Sequence, residues 1–309
     1  MKKFPKIQDE VMLKRLEPPL GIASIVLDTD TYNEIDDQFA VIYALLSEQI
    51  KVEAIYAAPF FNSRSTGPED GMKKSYDEIM RLLEKIRYKR DNFVFHGSDR
   101  YLSDPDEPIQ SDAVEDLVKR AMNKKGEPLY VVAIGAITNI ASAIIMEPKI
   151  IERIVVVWLS GQPYYWHTAR EFNLEQDLIA SQILFNCGVP LIHIPTKNVS
   201  EHVRTTVPEM ERFVKGQGAI GDYLYEIFYN YHLNHYAWSK VIWDITAIAY
   251  MINPDWVPSI ICNSPILTND MTWSFNPWRH FVRVAVDADR DEIFGDLFRK
   301  LEKNGKVNK

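Results

Sequence analysis

Short apolar runs alternate with amphipathic stretches over the first two-thirds of the chain, and that alternation predicts the fold. Ile22 to Leu27 is a mostly apolar run that ends in a polar turn, the pattern of a buried parallel strand. Further strands are expected at Lys51–Ala58, Phe93–His96, Leu129–Ile134, Ile151–Leu159 and Pro190–Ile194. Between them, helices are expected at Asp36–Ser47, Gly71–Lys89, Ser111–Asn123, Thr138–Met146 and Leu178–Asn186. The second of these places Met72, Tyr76, Ile79, Leu82, Leu83 and Ile86 on one face. Such alternation implies an α/β fold: an open, mostly parallel sheet with helices on both faces. Beyond about residue 200 the pattern turns helical, with an aromatic-rich segment from Gly221 to Trp238 and a helix over Thr246–Met251. Strands are expected between Ser259 and Val286, and a closing helix over Asp291–Lys303. Neither a repeat nor a linker interrupts the pattern, so a single domain over 1–309 is expected.

The chain of 309 residues is 46% hydrophobic and 25% charged, enough for one large core. A net charge of −8 argues against a nucleic-acid partner. The lysine-bearing start has no apolar segment behind it, and no window reaches an eighteen-residue apolar run, so neither a signal peptide nor a membrane span is expected. A soluble cytoplasmic chain is the expectation. Cys187 and Cys262 both lie in apolar surroundings and read as inert core thiols.

The chemistry concentrates where the first strand ends. Asp28, Asp30, Glu34, Asp36 and Asp37 follow Leu27 within ten residues. Ligands in open α/β sheets bind at the carboxyl ends of strands. Carboxylates crowded there repel unless they are protonated or a cation neutralises them, and Ca²⁺ takes six to eight oxygen ligands. Two readings fit: a solvated turn with Thr31 or Asn33 capping the next helix, or a cation site. Asp36 and Asp37 open an apolar helix, where negative charge is favoured.

Three further segments carry candidate chemistry, each with a plain structural alternative. At Ile134-Gly135-Ala-Ile-Thr138-Asn139, a glycine turn joins strand to helix. Either Thr138 or Asn139 is simply an N-cap, or the turn aims the Ile134 carbonyl at a ligand. In Arg170-Glu171-Phe172-Asn173, read as extended, Glu171 and Asn173 point the same way and suit paired sugar hydroxyls; a solvated loop is the alternative. Asp244, after Trp243, heads an apolar helix either as its N-cap or as one more carboxylate for the cation. Trp243 offers a π face to a flat ligand.

Taken together, these motifs resemble the inosine–uridine preferring nucleoside hydrolase family. The matches are Asp28, Asp30, Asp36 and Asp37; Gly135, Thr138 and Asn139; Glu171, Phe172 and Asn173; and Trp243-Asp244, in order over residues 22–250. The resemblance implies a Ca²⁺-dependent enzyme that cleaves ribonucleosides to base and ribose. Asp30 would be the general base and a metal ligand, with Asp37, Asp244 and the Ile134 carbonyl as further ligands. Asn173 would be a second catalytic residue. With Asp36, Asn62 and Glu171 it would hold the ribose. Trp243, where pyrimidine-accepting relatives carry His, implies a purine leaning. Tyr164, Tyr165, Trp166 and Trp238 are candidates for a second stacking wall or for ordinary packing. His167, His232 and His235 are candidate proton donors to the leaving base, or plain surface or core histidines. A homo-oligomer, dimer or tetramer, is implied.

Two departures stand out. The family's glycine-rich turn after the fifth strand is altered to Ser160-Gly-Gln-Pro-Tyr-Tyr-Trp-His167, which could change the substrate while the metal centre is kept. The other is the first loop. Where the family has Pro-Gly after the second aspartate, this chain has Thr31-Tyr-Asn-Glu-Ile35, two residues longer. Tyr32, Asn33 or Glu34 could then enter the site. A relative acting on another ribosyl compound, or a non-catalytic nucleoside binder, stays open.

Overall fold

The computed structural model describes residues 3–19 and 21–307; Met1 and Lys2 of the charged start lie outside the described residues. A helix the pattern did not suggest, α1 (Asp9–Arg15), precedes β1 (Ala23–Thr29). There follow α2 (Asp36–Leu46), β2 (Ile50–Ala57), α3 (Pro68–Lys85), β3 (Val94–His96), α4 (Asp112–Asn123), β4 (Leu129–Ala133) and α5 (Thr138–Met146). Next come β5 (Ile154–Leu159), α6 (Phe172–Gln176), α7 (Leu178–Asn186), β6 (Leu191–Ile194), β7 (Arg204–Thr205), α8 (Val207–Phe213) and α9 (Gly218–Asn230). The chain closes with β8 (Lys240–Val241), α10 (Ile245–Ile252), β9 (Ser259–Asn263), β10 (Ile266–Leu267), β11 (Trp273–Ser274), β12 (Phe281–Ala285) and α11 (Arg290–Val307).

Eight strands form one sheet in the order β3-β2-β1-β4-β5-β6-β12-β9. Every pairing in it is parallel except the last, β12 with β9. Strand residues alternate between two cores, as a period of two requires. In β5, Val155, Val157 and Leu159 join the core under α2, α3, α10 and α11, while Ile154, Val156 and Trp158 join the core under α4, α5 and α7. Burial on both faces is why these strands read as continuous apolar runs.

Boundaries shift for identifiable reasons. The strand expected from Ile151 starts at Ile154 because Pro148–Glu152 forms a 3-10 turn, which the Glu147 side chain caps at the Lys149 amide. The helix expected from Gly71 begins at Pro68, a residue suited to a first helical turn. It ends at Lys85, and the left-handed backbone of Arg87 (φ 54°) stops it before Lys89.

Candidate functional site

The chain builds β1, β2 and β3 outward in one direction, then β4, β5 and β6 in the other. The reversal lies between β1 and β4, where the Ile134 amide donates to the Asp28 carbonyl at 2.9 Å. This is the topological switch point at which such sheets bind ligands. Asp28 and Asp30 leave it from β1, and Ile134 and Gly135 from β4. A Cβ on Gly135 would lie 3.0 Å from the Asp30 carboxyl carbon, so any side chain there would push the Asp30 carboxylate aside by a few tenths of an ångström.

Five carboxylates converge here, all buried: Asp28, Asp30, Asp36, Asp37 and Asp244. Carboxylate oxygens of Asp36, Asp37 and Asp244 lie within 4.8 Å of one another. Thr29 Oγ1 donates to Asp37 Oδ1 at 2.5 Å, but Asp37 Oδ2, Asp28 Oδ1 and both oxygens of Asp30 have no donor. Burial pushes Asp30 well above the usual carboxylate range, and the neighbouring Asp37 and Asp36 add to it. Burial and then the Asp36, Asp37 and Asp30 charges do the same to Asp244. Asp37 is raised to about 8 by burial and by Asp36. Burial takes Asp36 to about 6 against the pull of Lys240, and Asp28 to about 7 against its bond from Asn139. Unpartnered, mutually repelling oxygens are what a hard divalent cation would relieve, so the donor set fits one.

The plain helix-cap readings do not hold for these residues. The α2 N-cap is Ile35, without a side-chain bond; Thr31 Oγ1 instead meets Thr29 Oγ1, and Asn33 Oδ1 accepts from Asn62. Asp244 stands at the N-cap of α10 yet makes no capping bond, its carboxyl meeting that of Asp36. Thr138 and Asn139 do not cap α5 either. Thr138 donates to Asp177 at 2.8 Å. The Asn139 amide donates to Asp28 Oδ2 at 2.8 Å and accepts from the Ser98 amide and hydroxyl at 2.7 and 2.8 Å.

Beside the carboxylates lies a cleft of about 330 Å³, whose walls include Asp36, Asp244, Glu171, Asn173, Asn62 and Trp243. The segment read as extended is a helix start: Phe172–Gln176 is α6, and Glu171 caps it. Glu171 Oε2 accepts from the Gly161 and Leu174 amides at 2.8 and 3.3 Å. Burial still pushes Glu171 up to about 7. The Asn173 amide donates to the carbonyls of Ile134 and Leu159 at 3.1 and 3.0 Å, tying α6 to the ends of β4 and β5. Ile134 therefore presents its carbonyl to the cleft with one donor already on it. Asn62 is engaged at both ends, by Asn33 at 2.7 Å and by the Arg64 amide at 2.8 Å, and so braces the first loop.

The longer first loop does enter the cleft, through Asn33 and Glu34. Arg64 donates to the Glu34 carbonyl at 2.9 Å and stands 4.5 Å from the Tyr32 ring centroid. On its other side the Glu34 carboxylate is ion-paired with the buried Lys240, whose ammonium also faces Asp36. The altered turn after β5 enters the cleft through Gln162, whereas Lys240, Thr196 and Lys197 have no local pattern to mark them, their neighbours in the site being remote in sequence. The candidate proton donors His167, His232 and His235 all lie elsewhere. His167 and His232 are exposed, and His235 sits 2.9 Å from the Tyr229 carbonyl in a turn that folds on itself. Nor do Tyr164, Tyr165, Trp166 or Trp238 line the cleft: Tyr164 packs on His193 and Trp273, and Trp238 on Phe228. Both cysteines are free and neither lines the cleft, their thiols pushed up by burial.

The family model described as "Inosine-uridine preferring nucleoside hydrolase" matches residues 25–295. A probable uridine nucleosidase of Arabidopsis thaliana is 26% identical over 69% of this chain and 71% of its own. An inosine-uridine preferring nucleoside hydrolase of Crithidia fasciculata is 29% identical over 62% of this chain and 66% of its own. The solved structure of a purine-preferring ribonucleoside hydrolase from Gardnerella vaginalis superimposes with a TM-score of 0.70 at 19% identity, covering 92% of this chain and 99% of that one.

Proposed function

The chain belongs to the inosine–uridine preferring nucleoside hydrolase family, and from that premise we propose that it hydrolyses the N-glycosidic bond of ribonucleosides, purines ahead of pyrimidines, to free base and ribose with the help of Ca²⁺. The observation that carries this reading is the set of buried, donorless carboxylate oxygens beside a cleft lined with sugar-binding groups. Asp30, Asp37, Asp244 and the Ile134 carbonyl would hold the cation; Asp36, whose carboxylate clusters with those of Asp37 and Asp244, is in reach of it as well. When bound, it would supply positive charge that orients sugar hydroxyls and acidifies a nearby water.

The remaining work falls to the chain. The glycosidic bond breaks through a ribosyl cation, which the surrounding carboxylates stabilise. Asp30, whose oxygens have no other partner, takes the proton of the attacking water. Asp36 accepts a ribose hydroxyl. Glu171 and the side-chain oxygen of Asn173 hold the sugar from the opposite wall, which fixes the reacting atoms relative to each other. Asn62 acts from behind, by setting Asn33. Trp243 stacks on the base and favours the larger purine.

The relatives' described preferences span uridine, inosine-uridine and purine, so Trp243 carries the purine leaning here. The same reading places the protein in the cytoplasm as a dimer or tetramer, with exposed side chains such as Phe275 and Trp278 available to a partner copy. No helix among the described residues is long and apolar enough to cross a membrane.

The test is ribose release from inosine, adenosine, guanosine, uridine and cytidine, each with Ca²⁺ and with chelator. Chelator-sensitive release led by the purines is expected. Release that survives chelation refutes the cation's role, and uridine ahead of inosine refutes the role of Trp243.

A further inference from the structure

We infer that the cleft is built for an N-riboside whose leaving base already carries a positive charge, such as an N-ribosylpyridinium or an N7-alkylated purine riboside. The inference rests on the hydrolase reading of the same cleft and names its substrate class.

The argument starts from the electron pair. When the bond from C1′ to the base nitrogen breaks, its two electrons go to that nitrogen. A neutral purine or pyrimidine then leaves as an anion unless a proton reaches it. A cationic base leaves neutral, because the same electron pair cancels its charge. Water's oxygen bonds to C1′ and its proton goes to Asp30 in both cases. The difference between them is one proton donor for the leaving group.

Among the described residues, the cleft offers no donor aimed at that task. None of the seven histidines lines it. His193 is buried behind it with Nε2 on the Ser160 carbonyl at 2.8 Å. His96 stacks on Tyr76, and His202 faces Asp287. Tyrosine and cysteine are also missing from the cleft walls. The Lys197 ammonium is bound to Glu201 at 2.8 Å. Glu171 is the one acid on the walls that burial raises to about 7, but its Oε2 is held by the Gly161 and Leu174 amides, bonds that oppose that rise and commit this oxygen to capping α6.

Charge points the same way. Glu34 and Lys240 compensate each other, as do Lys197 and Glu201. The cleft walls keep Asp36, Asp244 and Glu171, with Asp30 and Asp37 behind them, and one divalent cation leaves that set net negative. Trp243 adds an aromatic face, which attracts a cation more than a neutral ring.

Guanosine and 7-methylguanosine test this directly, since they differ by one methyl group and one charge. Under saturating Ca²⁺, kcat/KM for 7-methylguanosine should exceed that for guanosine, and nicotinamide riboside should outrun inosine. Because cationic ribosides are intrinsically more labile, binding is measured as well: the Asp30→Asn variant, followed by tryptophan quenching, should bind 7-methylguanosine at least about tenfold tighter. Two substitutions then move the charge in opposite senses. Glu34→Gln uncovers the Lys240 ammonium and should lower the cationic-to-neutral ratio of kcat/KM about tenfold, the effect of a unit charge roughly 10 Å away at intermediate dielectric. Lys240→Met uncovers Glu34 and should raise the ratio. Using a ratio cancels any common effect of either change on cation binding. Guanosine turned over or bound as well as 7-methylguanosine, or both substitutions shifting the ratio the same way, overturns the inference and leaves the hydrolase reading standing. So does a selective loss of guanosine turnover in Glu171→Gln, which would identify Glu171 as the missing acid. No ribose from any of the four substrates overturns the hydrolase reading and the inference with it.

Discussion

Asp30 is the residue on which the chemistry and the strain of the site coincide. Its two oxygens lack donors, and it lies against the equally buried Asp37. Replacing it by Asn removes the proposed base and should lower turnover by roughly 10²–10⁴-fold. The same change removes one like charge and supplies an amide donor beside Asp37. The cation-free variant should therefore melt higher than the cation-free parent, and scanning calorimetry in chelator reads this independently of activity. Trp243 makes a second residue-scale prediction. Trp243→Ala removes a stacking face worth roughly 1–3 kcal/mol per base. KM for purine ribosides should rise tenfold or more in steady-state kinetics, and KM for uridine by much less; equal losses would assign Trp243 to packing.

Among the elements, β1 is held in register with its neighbours by a side chain of α5. Asn139 joins Asp28 to Ser98 in the loop after β3, and Gly97 is needed beside it because a Cβ there would fall 2.0 Å from the Ala57 carbonyl oxygen and 2.5 Å from the Asn139 amide nitrogen. Asn139→Leu fills the space and leaves Asp28 and Ser98 unpaired. A loss of about 2–4 kcal/mol is expected, from roughly 1–3 per orphaned group, with a lower denaturant midpoint at unchanged slope. Such ties explain what could be read from the sequence and what could not. Strands such as β4 and β5 were legible because both faces are buried, so apolar runs between turn residues leave little else to be. The motif aspartates were legible because strand ends place them by rule. The inside of the first loop was not. Glu34 meets Lys240, more than two hundred residues later, through an ion pair that no local pattern encodes. Glu171 and Asn173 were read as extended because the single turn of α6 is too short to show a helical period, although their convergence on the cleft survives the correction.

At the scale of the molecule, the carboxylate cluster makes stability depend on pH and cation together. Asp28, Asp36 and Asp37 have folded-state values of about 7, 6 and 8 against an ordinary 3.8. A carboxyl raised in the folded state stabilises it fully below the unfolded value, and that contribution is lost as pH rises through the folded value. The cation-free protein should therefore lose stability between about pH 4 and pH 8. A cation bound to the ionised oxygens would reverse the trend, adding about 2.7 kcal/mol at a hundred times its Kd. Melting curves at pH 5.5 and 8.5, with chelator and with Ca²⁺, should show the larger Ca²⁺ gain at pH 8.5; equal gains at both would remove the cluster as the binding site. The distance between the contributing segments also fixes when the cation can act. Asp30 follows β1 and Asp37 opens α2, whereas Asp244 arrives only at the start of α10, after β1 to β6 have passed. A folding chain has no complete site until its last third has docked, so a cation held there would not guide the early steps. Its stabilisation should appear almost wholly as slower unfolding, with the refolding rate unchanged. An ion of this kind would seal finished molecules, set once folding is over.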